Sequence, residues 1–333
     1  MRIRVAIIGL SDSWSRRYLP ALRALQDRFE VRGIYAPVGL LADKAARVFR
    51  VPASRSFQQL IRRPDVDAVL VLASDGLGPL PLLVACEAGK AVYSAAHLEL
   101  DAASAADLRE QVDRSGIAFM AEFTRRHAPA TLRLKELIAT HLGPPQLLFC
   151  HHCSSGRRRP GRPGSRPPAS THRLSELVDW SCYVVGRSPT SVWGDFCRLT
   201  ASAHDHYRSL SLHFAPGAGG SRALAQIRYG NYLPPQWSTA KSFRPPPHME
   251  VRCERGIAYL DLPATLVWFD EAGQHQESLE DERPVGEQLL MHFHRAVTSL
   301  VRKRSDLEDA FRALRIVSVA KRSAALGRRI RLP

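Results

Sequence analysis

The chain has 333 residues, 45% of them hydrophobic and 24% charged, which leaves room for two domains with cores of their own and is ordinary for a globular protein. No apolar run approaches the roughly 20 residues that span a bilayer, and six cysteines in this length are too sparse for a disulfide scaffold. A formal charge of +15 comes from 47 Lys plus Arg. These are scattered except in one loop and at the C-terminus, and no nucleic-acid motif accompanies them, which argues against a nucleic-acid partner.

The opening MRIRVAIIGL has a basic residue and an apolar run but no small-residue cleavage site, so it reads as a buried first strand, not a leader, and favours the cytoplasm. Arg4–Gly9 is continuously apolar, as in a parallel strand buried on both faces. Apolar residues at helical spacing follow over Arg16–Phe29, then a strand over Glu30–Tyr35 and a helix over Leu40–Arg50. Phe57–Arg62 begins a helix that Pro64 stops. Asp67–Ala73 is a strand, Leu80–Ala88 a helix, Ala91–Ser94 a strand, Asp101–Ser115 a helix and Ile117–Phe123 a buried strand. Strands separated by helices at this spacing predict a doubly wound parallel sheet, a Rossmann-type domain over residues 1–123.

The pattern then changes. Ala130–Thr140 is a helix and Gln146–His152 a strand. Residues 156–168, GRRRPGRPGSRPP, offer neither a core nor a ladder and predict a mobile loop. Ser175–Val185 is a helix. Strand-like stretches SVWGDF, SLSLHF, ALAQIRY, HMEVRC, IAYLDL and LVWFD lie between Ser191 and Phe269, and helices over Val285–Leu300 and Leu307–Leu326 close the chain. Residues 124–333 therefore read as an α+β domain with a large, mostly antiparallel open sheet. An uncovered apolar sheet face predicts a homo-oligomer.

Cys150 and Cys153 form a CxxC enclosing His151 and His152. On a strand, side chains alternate between faces, so the two thiols would point apart and could not chelate one ion. No second CxxC supplies ligands, and no metal is expected.

The chain resembles the Gfo/Idh/MocA family of nicotinamide-dependent sugar and polyol oxidoreductases. The segments that carry this are IIGL, RRPDVDAVLVLA with ACEAGKAV, FTRRHAPATLRLKELI, DWSCYVVG and LEDAFRALRIVSVAKRSAALGRRIRL, in the family's order and spacing over most of the chain. The resemblance implies a Rossmann domain followed by a substrate and oligomerisation domain, NAD or NADP as cofactor, and a sugar-like substrate.

The positions that would carry the chemistry are altered. The GxGxxG loop, whose glycines make the tight turn and admit the pyrophosphate, is Gly9-Leu10-Ser11-Asp12-Ser13-Trp14-Ser15. Without a gap, Ser11 and Trp14 replace the second and third glycines; with one inserted residue, Asp12 and Ser15 do. The residue types read as an N-cap for the first helix, at Asp12 or at Ser11 or Ser13. The acid expected to bond the adenosine ribose is Ala36. The family's Thr-Pro turn is Ser74-Asp75-Gly76, with Ser74 in the threonine's place. In the Glu-Lys-Pro motif, Ala95, Ala96 and His97 stand in order. Alanine cannot replace the proton-transferring lysine, which leaves His97 as the one neighbour able to titrate near neutrality.

The DxGxHxxD pattern becomes His172-Arg173-Leu174-Ser175-Glu176-Leu177-Val178-Asp179. Glu176 takes the histidine position, and with Asp179 it shares a helix face at i, i+3. These acids either act on a ligand or pair with Arg125 or Arg126. Arg125, Arg126 and His172 are the candidate substrate-cleft residues, and catalytic work would fall to His97, Glu176 and Asp179. Three readings stand: an oxidoreductase that uses NAD(P) with impaired binding and catalysis, a non-catalytic relative that binds a ligand or a partner, and a structural, oligomer-forming protein whose sheet is the interface.

Overall fold

A computed structural model describes residues 1–74, 76–95, 102–155, 170–199, 206–217, 220–233, 239, 243, 245–299 and 305–332. The chain divides into two compact units. The first comprises Met1–Thr124, Gly164–His172 and Arg283–Phe311, the second Arg125–Pro163, Arg173–Glu282 and Arg312–Pro333. The candidate His97 and its neighbour Ala96, Asp75 and the loop 156–168 lie outside the described residues.

The first unit holds β1 (Ile3–Ile8), α1 (Leu19–Ala24), β2 (Phe29–Tyr35), α2 (Gly39–Phe49), α3 (Phe57–Ile61), β3 (Ala68–Val71), α4 (Leu80–Glu87), β4 (Ala91–Ser94), α5 (Ala102–Ser115) and β5 (Phe119–Ala121). The strands form a five-stranded sheet in the order β2-β1-β3-β4-β5, every pair parallel. The burial of β1, β3 and β4, interrupted only at Arg4, follows from their mostly apolar sequences. One core face gathers Ile3, Val5, Ile7, Leu70 and Tyr93. The other gathers Ala6, Ile8, Val69, Val71 and Val92. The sheet is the doubly wound one that the sequence pattern predicts. Strand order reverses between β1 and β3, where open sheets of this kind bind ligands at the strands' carboxyl ends.

The predicted helix over Arg16–Phe29 is broken. Trp14–Tyr18 is a wide π-helical turn, and α1 covers only six residues after it. Pro20 has no N–H, so the regular i→i−4 ladder cannot run through it.

The second unit contains α6 (Pro129–Leu137), β6 (Pro145–Ser155), α7 (Ser170–Val185), β7 (Pro189–Arg198), β8 (His206–Phe214), β9 (Leu224–Leu233), β10 (Met249–Cys253), β11 (Ile257–Asp261), β12 (Thr265–Asp270) and β13 (Gly273–Ser278). After α8 (Val285–Thr298) of the first unit, α9 (Ser305–Leu326) and β14 (Ile330–Arg331) complete the chain. The nine-stranded sheet runs β13-β12-β11-β10-β6-β9-β8-β7-β14. Its pairings are antiparallel except β6 with β9. Alternate residues such as Leu148, Val192, Leu210, Leu212, Ile227, Val251 and Leu260 build the core with α6, α7 and the second half of α9. Because β6 continues through Ser155, Cys150 and Cys153 fall on opposite faces. Cys150 is buried beside Ser181 (3.4 Å), and burial pushes its thiol up to about 12. Among the described residues, no group of three His, Cys, Asp or Glu side chains is placed to hold a metal, and no helix is long and apolar enough to cross a membrane.

Candidate functional site

At the carboxyl end of β1, Gly9 has φ +75° and donates its N–H to Tyr35 O at 2.8 Å. A Cβ there would overlap the backbone of Ala73. The close approach of the two loops therefore requires glycine, whether or not a dinucleotide is held. Beyond it, Trp14 N donates to Ser11 O (2.9 Å) and Arg17 N to Ser13 O (2.8 Å). The N-cap position is Ser13, not Asp12, and Ser13 makes no side-chain cap bond. Asp12 is exposed, and the Oγ of Ser11 is enclosed without a hydrogen-bond partner among the described residues. Trp14, at the third-glycine position of the ungapped reading, lays its ring against Phe49 with centroids 6.1 Å apart. Ala36 is buried just after β2 and brings no acceptor to a ribose. Ser74 contributes its carbonyl to the following turn, accepting from Leu77 N at 2.8 Å.

The sequence reading missed what holds this loop. Glu122 follows β5 with its side chain only 8% exposed. It accepts from Arg17 Nη1, from Tyr18 Oη and from Tyr93 Oη, the last at 2.7 Å. Tyr18 and Tyr93 are buried edge to face, with ring centroids 6.3 Å apart. Burial first, and then the Glu122 charge, pushes both phenols well above their ordinary value. Burial is the largest single influence on Arg17 and lowers it, but Glu122 together with Tyr18 and Tyr93 outweighs it and the guanidinium is raised. Arg17 and Tyr18 are the last two residues of the π turn, so one carboxylate ties the altered loop to the ends of β4 and β5. The signal was present as an acid at the end of the buried run IAFMAEF, since a buried charge needs partners.

The second cluster stands on α6 and α7. Glu176, Asp179, Trp180 and Tyr183 follow i, i+3, i+4, i+7 spacing and so share one face of α7. Asp179 is 5% exposed and accepts from Arg126 Nε at 2.7 Å and from Arg126 Nη2. The same guanidinium lies 5.1 Å from the Tyr183 ring centre. Trp180 donates from Nε1 to Thr131 Oγ1 at 3.1 Å. Arg125 lies 5.2 Å over that indole, and burial holds it below its ordinary value while Glu176 opposes the shift. Adjacent arginines thus differ: Arg126 is spent on Asp179, whereas Arg125 stacks on Trp180 and makes no hydrogen bond or ion pair with a described residue. His172 sits half-buried in the first turn of α7.

Residues 3–123 match the family model described as an oxidoreductase family with an NAD-binding Rossmann fold, GFO_IDH_MocA. Dehydrogenase aclE of Aspergillus oryzae is 27% identical over 146 residues, which span 41% of this chain and 40% of that protein. Solved structures match over nearly the full length. An aldose-aldose oxidoreductase from Caulobacter crescentus, complexed with glycerol, superposes with a TM-score of 0.80 at 16% identity, covering 100% of both chains. An NAD binding oxidoreductase from Klebsiella pneumoniae gives 0.79 at 16%, also covering 100% of both. UDP-N-acetylglucosamine 3-dehydrogenase GnnA from Acidithiobacillus ferrooxidans gives 0.77 at 17%, covering 98% of this chain and 99% of that one. At these identities the structural likeness speaks for the fold.

Proposed function

Because residues 3–123 match the model of the Gfo/Idh/MocA oxidoreductase family, we propose that this protein is an NAD(P)-dependent sugar or polyol oxidoreductase by descent that has lost dinucleotide binding and hydride transfer and acts by binding a ligand. The observation that carries this reading is the loop after β1. Where pyrophosphate would approach backbone N–H groups, Trp14 packs on Phe49 and the turn is wound wide and tied to Glu122. The residues present do not fit a dinucleotide. A second anion would also have to enter beside the Asp12 carboxylate, against the single negative charge that a helix start favours. Losing a few charge-assisted bonds at about 1.5–3 kcal/mol each weakens binding by several powers of ten. Ala96 supplies no group for proton transfer.

The ligand side rests on Arg125, a guanidinium stacked on Trp180 with Glu176 nearby, suited to a sugar-like molecule that carries an anionic group. Asp179 positions Arg126 and is not a free base. The protein assembles as a homo-oligomer through the outward face of the large sheet. Residues next to the buried Leu148, Val192, Leu260 and Trp268 point to that face, and they include Phe149, Trp193, Tyr259 and Phe269. Trp193 is 41% exposed.

Calorimetry of the purified chain with NAD+, NADH, NADP+ and NADPH tests the central claim. No binding at sub-millimolar concentration is expected, and micromolar binding of any of the four would overturn it. Ser11→Gly with Asp12→Gly should recover some binding but no turnover. A monomer by light scattering at high protein concentration would remove the oligomer.

A further inference from the structure

A second arginine of this unit, Arg208, has a guanidinium nitrogen without an acceptor among the described residues. Arg208 lies on β8 on the same face as the core residues Leu210 and Leu212. Its direct neighbours across the ladder are Phe196 on β7 and Tyr229 on β9. The guanidinium sits 5.4 Å over the Phe196 ring. Its Nη1 is enclosed and finds no hydrogen-bond partner among the described residues. An arginine on a sheet's inner face is normally spent on a carboxylate or on carbonyls, because a desolvated, unsatisfied charge is costly. Burial accordingly holds Arg208 below its ordinary value, with only Tyr229 opposing the shift.

A second cation is brought to the same place. On α9, the Ala320 carbonyl comes so close to Gly194 that no Cβ fits there, and Gly194 N donates to Ser323 Oγ at 3.1 Å. This registers α9 on β7, two residues along from Phe196. Lys321, between these contacts, is exposed to solvent, and burial of its inner portion, followed by the Arg208 charge, lowers its amine. The arrangement sets a covered guanidinium donor beside a solvent-exposed ammonium, with repulsion between them.

We propose that Arg208 and Lys321 form a binding site for a small oxyanion, the phosphate or carboxylate group of a small molecule. Arg208 offers a planar fork of donors and Lys321 a point charge. The site stands on β8 and α9 and does not depend on the reading of the Rossmann loop.

The experiment is thermal denaturation and calorimetry of the full chain with inorganic phosphate and, in a second arm, citrate. Sodium chloride at matched ionic strength is the reference. A midpoint increase beyond the chloride reference is expected in at least one arm, and the arm that responds distinguishes phosphate from carboxylate. Arg208→Gln should weaken binding by roughly tenfold or more, and Lys321→Gln by less. No increase in either arm, or an increase retained in full by Arg208→Gln, overturns the site. If Arg208→Gln does not fold, the exposed Lys321→Gln decides: an undiminished response in that variant counts against the proposal as well.

Discussion

Replacing Glu122 by alanine tests whether one carboxylate holds the altered loop. The change removes the acceptor shared by Tyr18, Tyr93 and Arg17. Tyr18 is 1% and Tyr93 0% exposed, so neither hydroxyl can turn to water, and each orphaned donor costs about 1–3 kcal/mol. Arg17, with 30% of its side chain exposed, recovers part of its loss from solvent. Relief of the buried Glu122 charge offsets another part. The net expectation is a destabilisation of about 3 kcal/mol, which lowers the melting midpoint of a unit of this size by roughly 6–12 °C. Glu122→Gln keeps one carbonyl oxygen and should cost about half as much. Tyr93→Phe removes a single donor while leaving the acceptor occupied, at about 1 kcal/mol. Circular dichroism melts of the three variants check the order. Glu122→Ala melting within about 2 °C of the parent chain, or above Tyr93→Phe, would refute the view that this network is the anchor.

The same phenols predict alkaline sensitivity. Their folded values lie above the ordinary 10.0, so the native state holds their protons more tightly, and stability is intact below pH 10 and falls as pH rises past it. Urea midpoints between about pH 9 and 11 should decline less steeply for Tyr18→Phe/Tyr93→Phe. Gly9→Ala forces a Cβ into the Ala73 backbone at positive φ and should cost about 2–4 kcal/mol. Gly39→Ala, where nothing lies within 4 Å, should be neutral or slightly stabilising in the same chemical denaturation. Asp179→Asn leaves the buried Arg126 poorly paired and should cost about 3–5 kcal/mol, whereas the apolar pair Arg126→Met/Asp179→Leu should recover most of it. A double-mutant cycle with no coupling between the two positions would contradict the geometry.

The parallel sheet was legible because its inner strands β1, β3 and β4 are buried on both faces and are mostly apolar, whereas β2 alternates buried and half-buried positions. The strands of the large sheet were legible through alternation. Two elements were not. β13, GQHQES, has no apolar face to read, and β14 is two residues long. The first helix misled because Arg16–Phe29 has helical spacing, while Pro20 and an uncapped Ser13 set the local backbone. At the site, substituted residues could be counted from the sequence, but their occupancy could not. The adjacent Arg125 and Arg126 carry the same side chain and make different contacts, a distinction that depends on which residue of α7 each one meets. The Glu122 network joins residues separated by about a hundred positions, beyond the reach of any local pattern.

The return of Arg283–Phe311 to the first unit bears on how the chain is made. Leu289, Leu290 and Phe293 of α8 belong to the same apolar cluster as Ile3, Ile7 and Tyr93, so the first sheet emerges from the ribosome with one side uncovered. It stays so until α8 has been synthesised. The second unit likewise waits for Ala313, Ile316, Val317 and Ala320. Nascent chains of this protein therefore expose apolar surface until these helices have been made and are natural clients for a holding chaperone. A fragment cut at residue 123, where the Rossmann pattern ends, would keep every strand of its sheet and still lack the helix that closes its core.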